Sequence, residues 1–351
     1  MTSLFDIEAL AKRNLPPDYW DWISSGYGEG MLVRRNQEAF EEIKIRPRPM
    51  MDASKVDTST TVLGERIELP VFASPAGTQW IAHTDAEVAV ARGVGSAGTL
   101  MTLATGAHKT TEEVAEAARG PLWFQLYHLT DDITGYMLSK VESLGYSAIC
   151  LTLGNPSGRR RKAGPFSDYS PSGDLAWGDL VEVPDLRQQI NNLDRSSYNI
   201  FNLETVDWLR NITSLPLVIK EIMTPQDARR CVDYGASGIV VSNHGGRTSD
   251  TGQASIEALS AIVEEVGDEI EVYLDSGVRS GSDIFKALAI GARAVGVGRP
   301  VIWGLALDGH NGVNRVFEIL RDEFERAMSI CGCISVTDID TSVIVSLKGN
   351  K

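Results

Sequence analysis

Directly after the apolar run Gly238-Ile239-Val240-Val241 the chain reads Ser242-Asn243-His244-Gly245-Gly246-Arg247. Imidazole is the side chain best suited to taking a proton near neutral pH. A guanidinium on the same turn can clamp a carboxylate through two parallel hydrogen bonds, and the glycines let a ligand approach the backbone closely. The set points to a base beside an anion clamp. A structural histidine and a rim salt bridge are the plainer alternatives.

Two later apolar runs end in similar turns, Asp275-Ser276-Gly277-Val278-Arg279 and Gly298-Arg299-Pro300. Glycine turns alone serve many tight loops, but two arginine-bearing turns on consecutive strands predict a phosphate site made of backbone amides and a helix N-terminus. Upstream, Val218-Ile219-Lys220-Glu221 puts an ammonium at the end of an apolar run. Buried there, it needs an anionic partner, either a cofactor atom or a neighbouring carboxylate.

These turns require a scaffold that gathers the ends of successive strands on one face, and a closed β/α barrel does so at the C-terminal ends of its strands. Short apolar runs alternate with stretches of helical period, the pattern of parallel strands joined by crossover helices. Strands are predicted at Pro70–Ser74, Thr99–Leu103, Leu122–Tyr127, Ala148–Leu153, Leu217–Glu221, Gly238–Ser242, Glu271–Asp275 and Ala294–Gly298. Helices are predicted at Asp85–Ala97, Thr111–Ala118, Asp131–Leu144, Thr205–Arg210, Pro225–Tyr234, Ala254–Val266 and Ser282–Ile290, with Thr224-Pro225 giving a cap and a first-turn proline. The fold class is therefore α/β, a single (β/α)8 barrel domain. Residues 1–69 would be a helical extension, with helices at Ile7–Asn14 and Pro17–Ser24 and the aromatics Tyr19, Trp20, Trp22 and Tyr27, forming a lid over the barrel. Residues 70–312 would be the barrel, and 313–351 an amphipathic helix, Val313–Ile330, with a tail. The polar stretch Lys162–Glu204 reads as a long surface excursion after strand four.

A length of 351 residues suits one elaborated barrel or two domains. The formal net charge of −14 opposes nonspecific binding to nucleic acid or anionic membrane, so an anionic ligand must be caught by local Arg and Lys. Four cysteines, Cys331-Gly332-Cys333 among them, form neither a disulfide framework nor a zinc spacing, and no metal is expected. The start lacks a basic-then-apolar leader, and no apolar stretch nears the roughly 20 residues that span a bilayer. A soluble cytoplasmic protein is expected.

From Phe5 to about Val345 the chain resembles the FMN-dependent α-hydroxy acid oxidase/dehydrogenase family, which includes glycolate oxidase, lactate oxidase, flavocytochrome-type lactate dehydrogenases and mandelate dehydrogenases. The most specific motifs are the His244 turn, Asp275-Ser276-Gly277-Val278-Arg279-Ser280-Gly281, Phe285-Lys286-Ala287-Leu288 and Gly298-Arg299-Pro300. Ser74-Pro75-Ala76-Gly77, Phe124-Gln125-Leu126-Tyr127 and Leu151-Thr152 support them. The resemblance implies bound FMN, with His244 as base, Arg247 on the substrate carboxylate, Tyr127 on the substrate oxygen and Lys220 beside the flavin N1/O2 edge. Gln125 and Thr152 would contact the flavin ring, and Pro75, Ala76 and Gly77 would lie against it. Ser242, Asp275, Gly277, Arg279, Gly298 and Arg299 would complete the cofactor site through ribityl and phosphate. Arg161 falls where the family places a second substrate-side arginine, though Arg159-Arg160-Arg161-Lys162 also reads as a solvated basic patch. Oxygen or a soluble carrier would reoxidise the flavin, and the family's members commonly form tetramers.

Three departures stand out against that pattern. Trp22 replaces a lid tyrosine, keeping the aromatic body on the substrate side but losing a hydroxyl. Gly154 stands where the family usually carries an Asp that orients the histidine, a loss that would weaken the base. After strand two, Leu103-Ala104-Thr105-Gly106 stands in for a run usually richer in hydroxyls and carrying a bulky aromatic. Gly77, Gly106 and Gly154 together imply a roomy pocket and a bulky or atypical 2-hydroxy acid. Two alternatives stay open: a specialised flavin dehydrogenase of an amine, amide or other alcohol, and an FMN-binding barrel impaired in catalysis.

Overall fold

The computed structural model describes residues 2–52, 55–153, 178–180, 183–192 and 203–346. Arg161, Gly154 and most of the expected excursion after strand four lie outside the described residues.

Three helices lead the chain, α1 (Leu4–Asn14), α2 (Pro17–Ser24) and α3 (Met31–Glu42), followed by β1 (Ile43–Ile45) and a hairpin of β2 (Thr60–Val62) and β3 (Glu65–Ile67). Eight parallel strands then close a barrel: β4 (Val71–Ala73), β5 (Met101–Ala104), β6 (Leu122–Leu126), β7 (Ala148–Thr152), β8 (Leu217–Ile222), β9 (Gly238–Val241), β10 (Glu271–Leu274) and β11 (Val295–Val297). Each strand lies beside its sequence neighbours, and β11 pairs with β4 to complete the ring. All eight coincide with predicted strands to within two residues at either end. Crossover helices include α4 (Ala86–Ser96), α5 (Thr111–Ala117), α6 (Asp131–Ser143), α7 (Pro184–Asn192), α8 (Leu203–Ile212), α9 (Pro225–Asp233), α10 (Ser255–Val266) and α11 (Gly281–Ile290).

Local chemistry sets the points where strands hand over to helices. Thr110, Thr130, Thr224 and Ser280 each accept a hydrogen bond from the backbone N–H three residues on, satisfying a donor that the first turn leaves open. After β11, Gly298 and Pro300 start α12 (Arg299–Cys331) at once, and its helical geometry is broken at Asp308 and Gly309. The helix predicted from Val313 is thus the second limb of a longer element. It packs against α4, α11 and α1, and the final strand β12 (Ile344–Ser346) pairs antiparallel with β1.

The leading segment does not act as one lid. Val62 and Ile67 of the hairpin are fully buried with Phe72, Trp123, Val218, Val240 and Tyr273 from the barrel interior, and the Leu63 N–H donates to Glu271 at the first residue of β10. The hairpin therefore plugs the N-terminal floor, opposite the strand ends that carry the motifs. The reason is apolar: a ring layer of Phe72, Trp123 and Tyr273, with centroids 5.3–6.0 Å apart, would otherwise face water. Removing one buried methylene here by Ile67→Val should lower stability by about 1 kcal/mol in a denaturant melt. Changing the outward-facing Thr61 to Ala should move the midpoint little, and equal shifts for the two would contradict this placement. Among the described residues no helix is long and apolar enough to cross a membrane.

Candidate active site

At the C-terminal mouth, β8 delivers Lys220, which is almost fully buried. Its Nζ donates to Ser242 Oγ at 2.7 Å and lies 3.2 Å from Asp275 Oδ2, which also accepts from Ser74 Oγ at 3.2 Å. Burial alone would discharge Lys220, but Asp275 and then Glu221 outweigh it and raise the ammonium above its ordinary value. Burial would likewise raise the Asp275 carboxyl, yet Lys220, aided by hydrogen bonds from Ser242 and Ser276, holds it below the carboxylate range. The lysine's partner within the chain is thus a neighbouring carboxylate.

His244, Gly245 and Gly246 form a single tight turn after β9. Three contacts hold it. Asn243 Oδ1 accepts from the Gly246 N–H at 3.0 Å, Ser242 Oγ from the His244 N–H at 3.1 Å, and Ser276 Oγ from the Gly245 N–H at 2.9 Å. Asn243 is itself locked to Asn36 of α3 by two reciprocal amide hydrogen bonds of 2.9 and 2.7 Å. Helix α3 escaped the sequence reading because its buried face includes that asparagine, which blurs the apolar period. Gly277 adopts φ +102°, and a Cβ there would lie 2.2 Å from the Asn36 carbonyl oxygen, so its glycine is required by helix packing.

The histidine is not left without a carboxylate. Glu221, next to Lys220 and with its side chain 5% exposed, contacts His244 Nδ1 through Oε1. Burial opposes ionisation of Glu221, but His244 and then Lys220 outweigh it and keep the carboxyl below its usual range. Position 154 lies outside the described residues; among those described, the carboxylate at the ring comes from β8. The sequence held the signal, a second charged residue ending an apolar strand, but only Lys220 was read as site chemistry and Glu221 was assigned no role.

Arg247 lies against the Trp22 ring, 5.5 Å from its centroid, and donates to the carbonyls of Trp22, Ile23 and Ser25 at 3.0–3.4 Å. The Trp22 indole N–H goes to Thr78 Oγ1 at 3.2 Å. The tryptophan therefore keeps its site position with its polar atom turned to the loop after β4. Arg299 donates to the carbonyls of Ile23, Gly245 and Ser25 at 2.9–3.1 Å and ties the end of α2 to the His244 turn. Its side chain is a strut between protein segments.

On the other side, Thr105 organises two expected site residues that the sequence reading did not connect to it. Its Oγ1 donates to the Gln125 carbonyl at 2.5 Å and accepts from the Tyr127 N–H at 2.9 Å, while its own N–H donates to Gln125 Oε1 at 3.3 Å. Among the described residues, buried Gln125 Nε2, Thr152 Oγ1 and Arg279 Nε have no protein hydrogen-bond partner. Burial alone lowers the Arg279 guanidinium, with Glu8 and Asp283 only partly offsetting it, and its plane lies 5.1 Å over Trp303. An orphaned buried donor costs about 1–3 kcal/mol, so a polar, anion-bearing molecule fits these atoms. Not every orphan marks a ligand: Trp123 Nε1 sits in the ring layer of the floor. Gly298 adds open space at the start of α12, the nearest atom to an added Cβ being Ser74 Cβ at 4.0 Å, where free helix N–H groups favour phosphate. The Pro75-Ala76-Gly77 loop is braced by Gln79 Nε2 on the Ala76 carbonyl at 3.0 Å. The donors and the cradle suit FMN.

The expected roomy pocket rests on one position among the described residues. A Cβ on Gly106 would meet nothing within 4 Å, whereas one on Gly77 would already touch the Gly106 carbonyl oxygen at 3.4 Å.

Comparison with known proteins agrees with this architecture. A family model described as FMN-dependent dehydrogenase matches residues 11–346. Glycolate oxidase 1 of Oryza sativa subsp. indica is 40% identical over 97% of this chain and 94% of its own. L-lactate oxidase of Nostoc sp. is 39% identical over 97% of both. The structure of a soluble mutant of the membrane-associated (S)-mandelate dehydrogenase from Pseudomonas putida superposes with a TM-score of 0.92, at 30% identity and 99% coverage of each chain.

Proposed function

This chain belongs to the FMN-dependent dehydrogenase family, and from that premise we propose that it oxidises a bulky 2-hydroxy acid to the 2-oxo acid with His244 as base. That it is an FMN-dependent oxidoreductase of α-hydroxy acids follows from the family. The finer reading is carried by one observation: His244 and Arg247 share a single turn over the mouth in which Lys220 is buried.

Arg247 binds the substrate carboxylate, and the Trp22 ring beside it excludes water. Tyr127, fixed through Thr105, hydrogen-bonds the substrate oxygen. His244 takes the hydroxyl proton as the α-hydrogen departs, leaving a carbonyl at C2. When bound, FMN would supply the two-electron oxidant for this step. Lys220 would offset the negative charge gained on the ring, Gln125 and Thr152 would hold the ring, and Arg279 with the Gly298 helix start would hold the phosphate. Arg161 remains a proposed substrate-side cation on sequence grounds alone.

Size preference follows from Gly106, whose missing side chain opens on free space. Of the relatives above, glycolate oxidase and L-lactate oxidase are named for short acids and (S)-mandelate dehydrogenase for an aryl acid. The test is a substrate panel under anaerobic mixing, read by bleaching of the flavin absorbance. Mandelate-like acids should exceed glycolate in kcat/KM, and Gly106→Phe should lower kcat/KM for the aryl acids by about tenfold or more, tenfold being the low end of what one methylene of misfit costs. A short-chain acid should change less than threefold. Glycolate outpacing the aryl acids would refute the bulky-substrate reading.

A further inference from the structure

We propose that Glu221, presented by a β-bulge in β8, is the positioning carboxylate of His244, fixing its Nδ1 so that Nε2 is the atom that exchanges the substrate proton. The inference rests on the reading of His244 as the base.

The backbone makes the case first. Alternate residues of a strand point to opposite faces, so Lys220 and Glu221 should not both reach the barrel mouth. They do because the pairing of β8 with β9 shifts at this point: Lys220 faces Val240, and Ile222, not Glu221, faces Val241. Two residues of β8 are thus set against a single step of β9, a bulge of the kind that re-aims a side chain beside an active site. Glu221 adopts φ +78°, a left-handed conformation uncommon for a residue with a side chain. A glycine would meet that backbone demand without strain; the chain places a glutamate there, and the glutamate ends on the imidazole. An outlier of this sort beside a reactive group is retained where it serves the site.

The chemistry agrees. A carboxylate accepting from Nδ1–H selects the tautomer with the lone pair on Nε2, and stabilises the ring once it gains a proton. The groups around the pair are Lys220 on the same strand, Cys150 from β7, Asp275 after β10, and His244 itself. Arg299 reaches the same turn through the Gly245 carbonyl. Against burial, His244 and then the ammonium of Lys220 hold the Glu221 carboxyl low, while Asp275 opposes them. The carboxylate serving the base and the cation assigned to the cofactor edge are therefore adjacent residues of one bulge.

The experiment compares Glu221→Gln and Glu221→Gly holoenzymes with the unaltered enzyme in anaerobic stopped-flow reduction by an aryl 2-hydroxy acid across pH 5–10, with FMN content and thermal melting measured in parallel. Expected are a fall in the reduction rate of about 10- to 100-fold in both variants, a shift of the acid limb of the rate profile to lower pH, and normal FMN content. Glu221→Gly should melt no lower than the unaltered enzyme, because glycine relieves the positive φ, and a carboxylate buffer such as formate should restore part of its rate. Reduction within twofold of normal overturns the proposal, as does a loss of rate with an unmoved acid limb or with loss of FMN, which would make the residue structural. A normal Glu221→Gln enzyme alongside an inactive His244 variant would overturn this proposal alone and leave the base assignment standing.

Discussion

Replacing His244 with asparagine should slow anaerobic reduction of the bound flavin by about 10²- to 10⁴-fold, the range that a positioned general base contributes, while FMN stays bound. Asparagine is the informative substitution because His244 sits at φ +56°, a conformation that asparagine tolerates better than most residues with a side chain. The turn should therefore survive, since its anchors are Asn243, Ser242 and Ser276 and not the imidazole. Lys220, Gln125, Thr152 and Arg279, the groups that fit the cofactor, do not touch the ring in any observed hydrogen bond, so absorbance of the bound flavin should be unchanged. Stopped-flow bleaching with saturating substrate separates chemistry from binding. A rate within tenfold of normal would remove His244 from the proton-transfer step and with it the proposed mechanism. Loss of FMN would instead show that the turn supports the cofactor site.

The barrel was legible because its strands are short apolar runs and its crossover helices carry threonine or serine caps, signals that are local in sequence. The His244 turn and the arginine turns were legible for the same reason, each being a compact run of chemistry at a strand end. What remained hidden depends on pairings between distant residues. Asn36 and Asn243 are 207 positions apart, and neither polar side chain announces a partner. The hairpin at residues 60–67 reads as part of a leading extension until its Val62 and Ile67 are seen among the floor rings. Glu221 was visible as a charge but not as a contact, because period-two reasoning sends it away from the site and only the bulge brings it back.

Lys220→Met should destabilise the protein by about 3–5 kcal/mol at pH 7 and lower flavin reduction at least 100-fold, because it leaves Asp275 buried with an uncompensated charge. In the unaltered protein Lys220 lies 3.2 Å from Asp275, and the carboxyl is held below its ordinary value chiefly by that ammonium against burial. A carboxyl depressed in the fold contributes stability that is present above its unfolded value, about 3.9, and is lost as pH falls through the lower folded value. Lys220, raised in the fold, contributes stability present below its unfolded value and lost only as pH rises through the higher folded one, so both halves of the pair act at neutral pH. Without the ammonium, burial dominates at Asp275 and the direction reverses: the folded protein takes up a proton more readily than the unfolded chain. The stability deficit of Lys220→Met should therefore be largest near neutrality and shrink as pH is lowered towards 5. A second change, Asp275→Asn, removes the stranded charge, so the double variant should recover much of the stability but not the activity, since the cation assigned to the cofactor edge is still missing. Denaturant melts of the single and double variants at two pH values measure this coupling directly. A Lys220→Met protein as stable as the original at pH 7, or a deficit that grows on acidification, would show that the pair does not hold the mouth together.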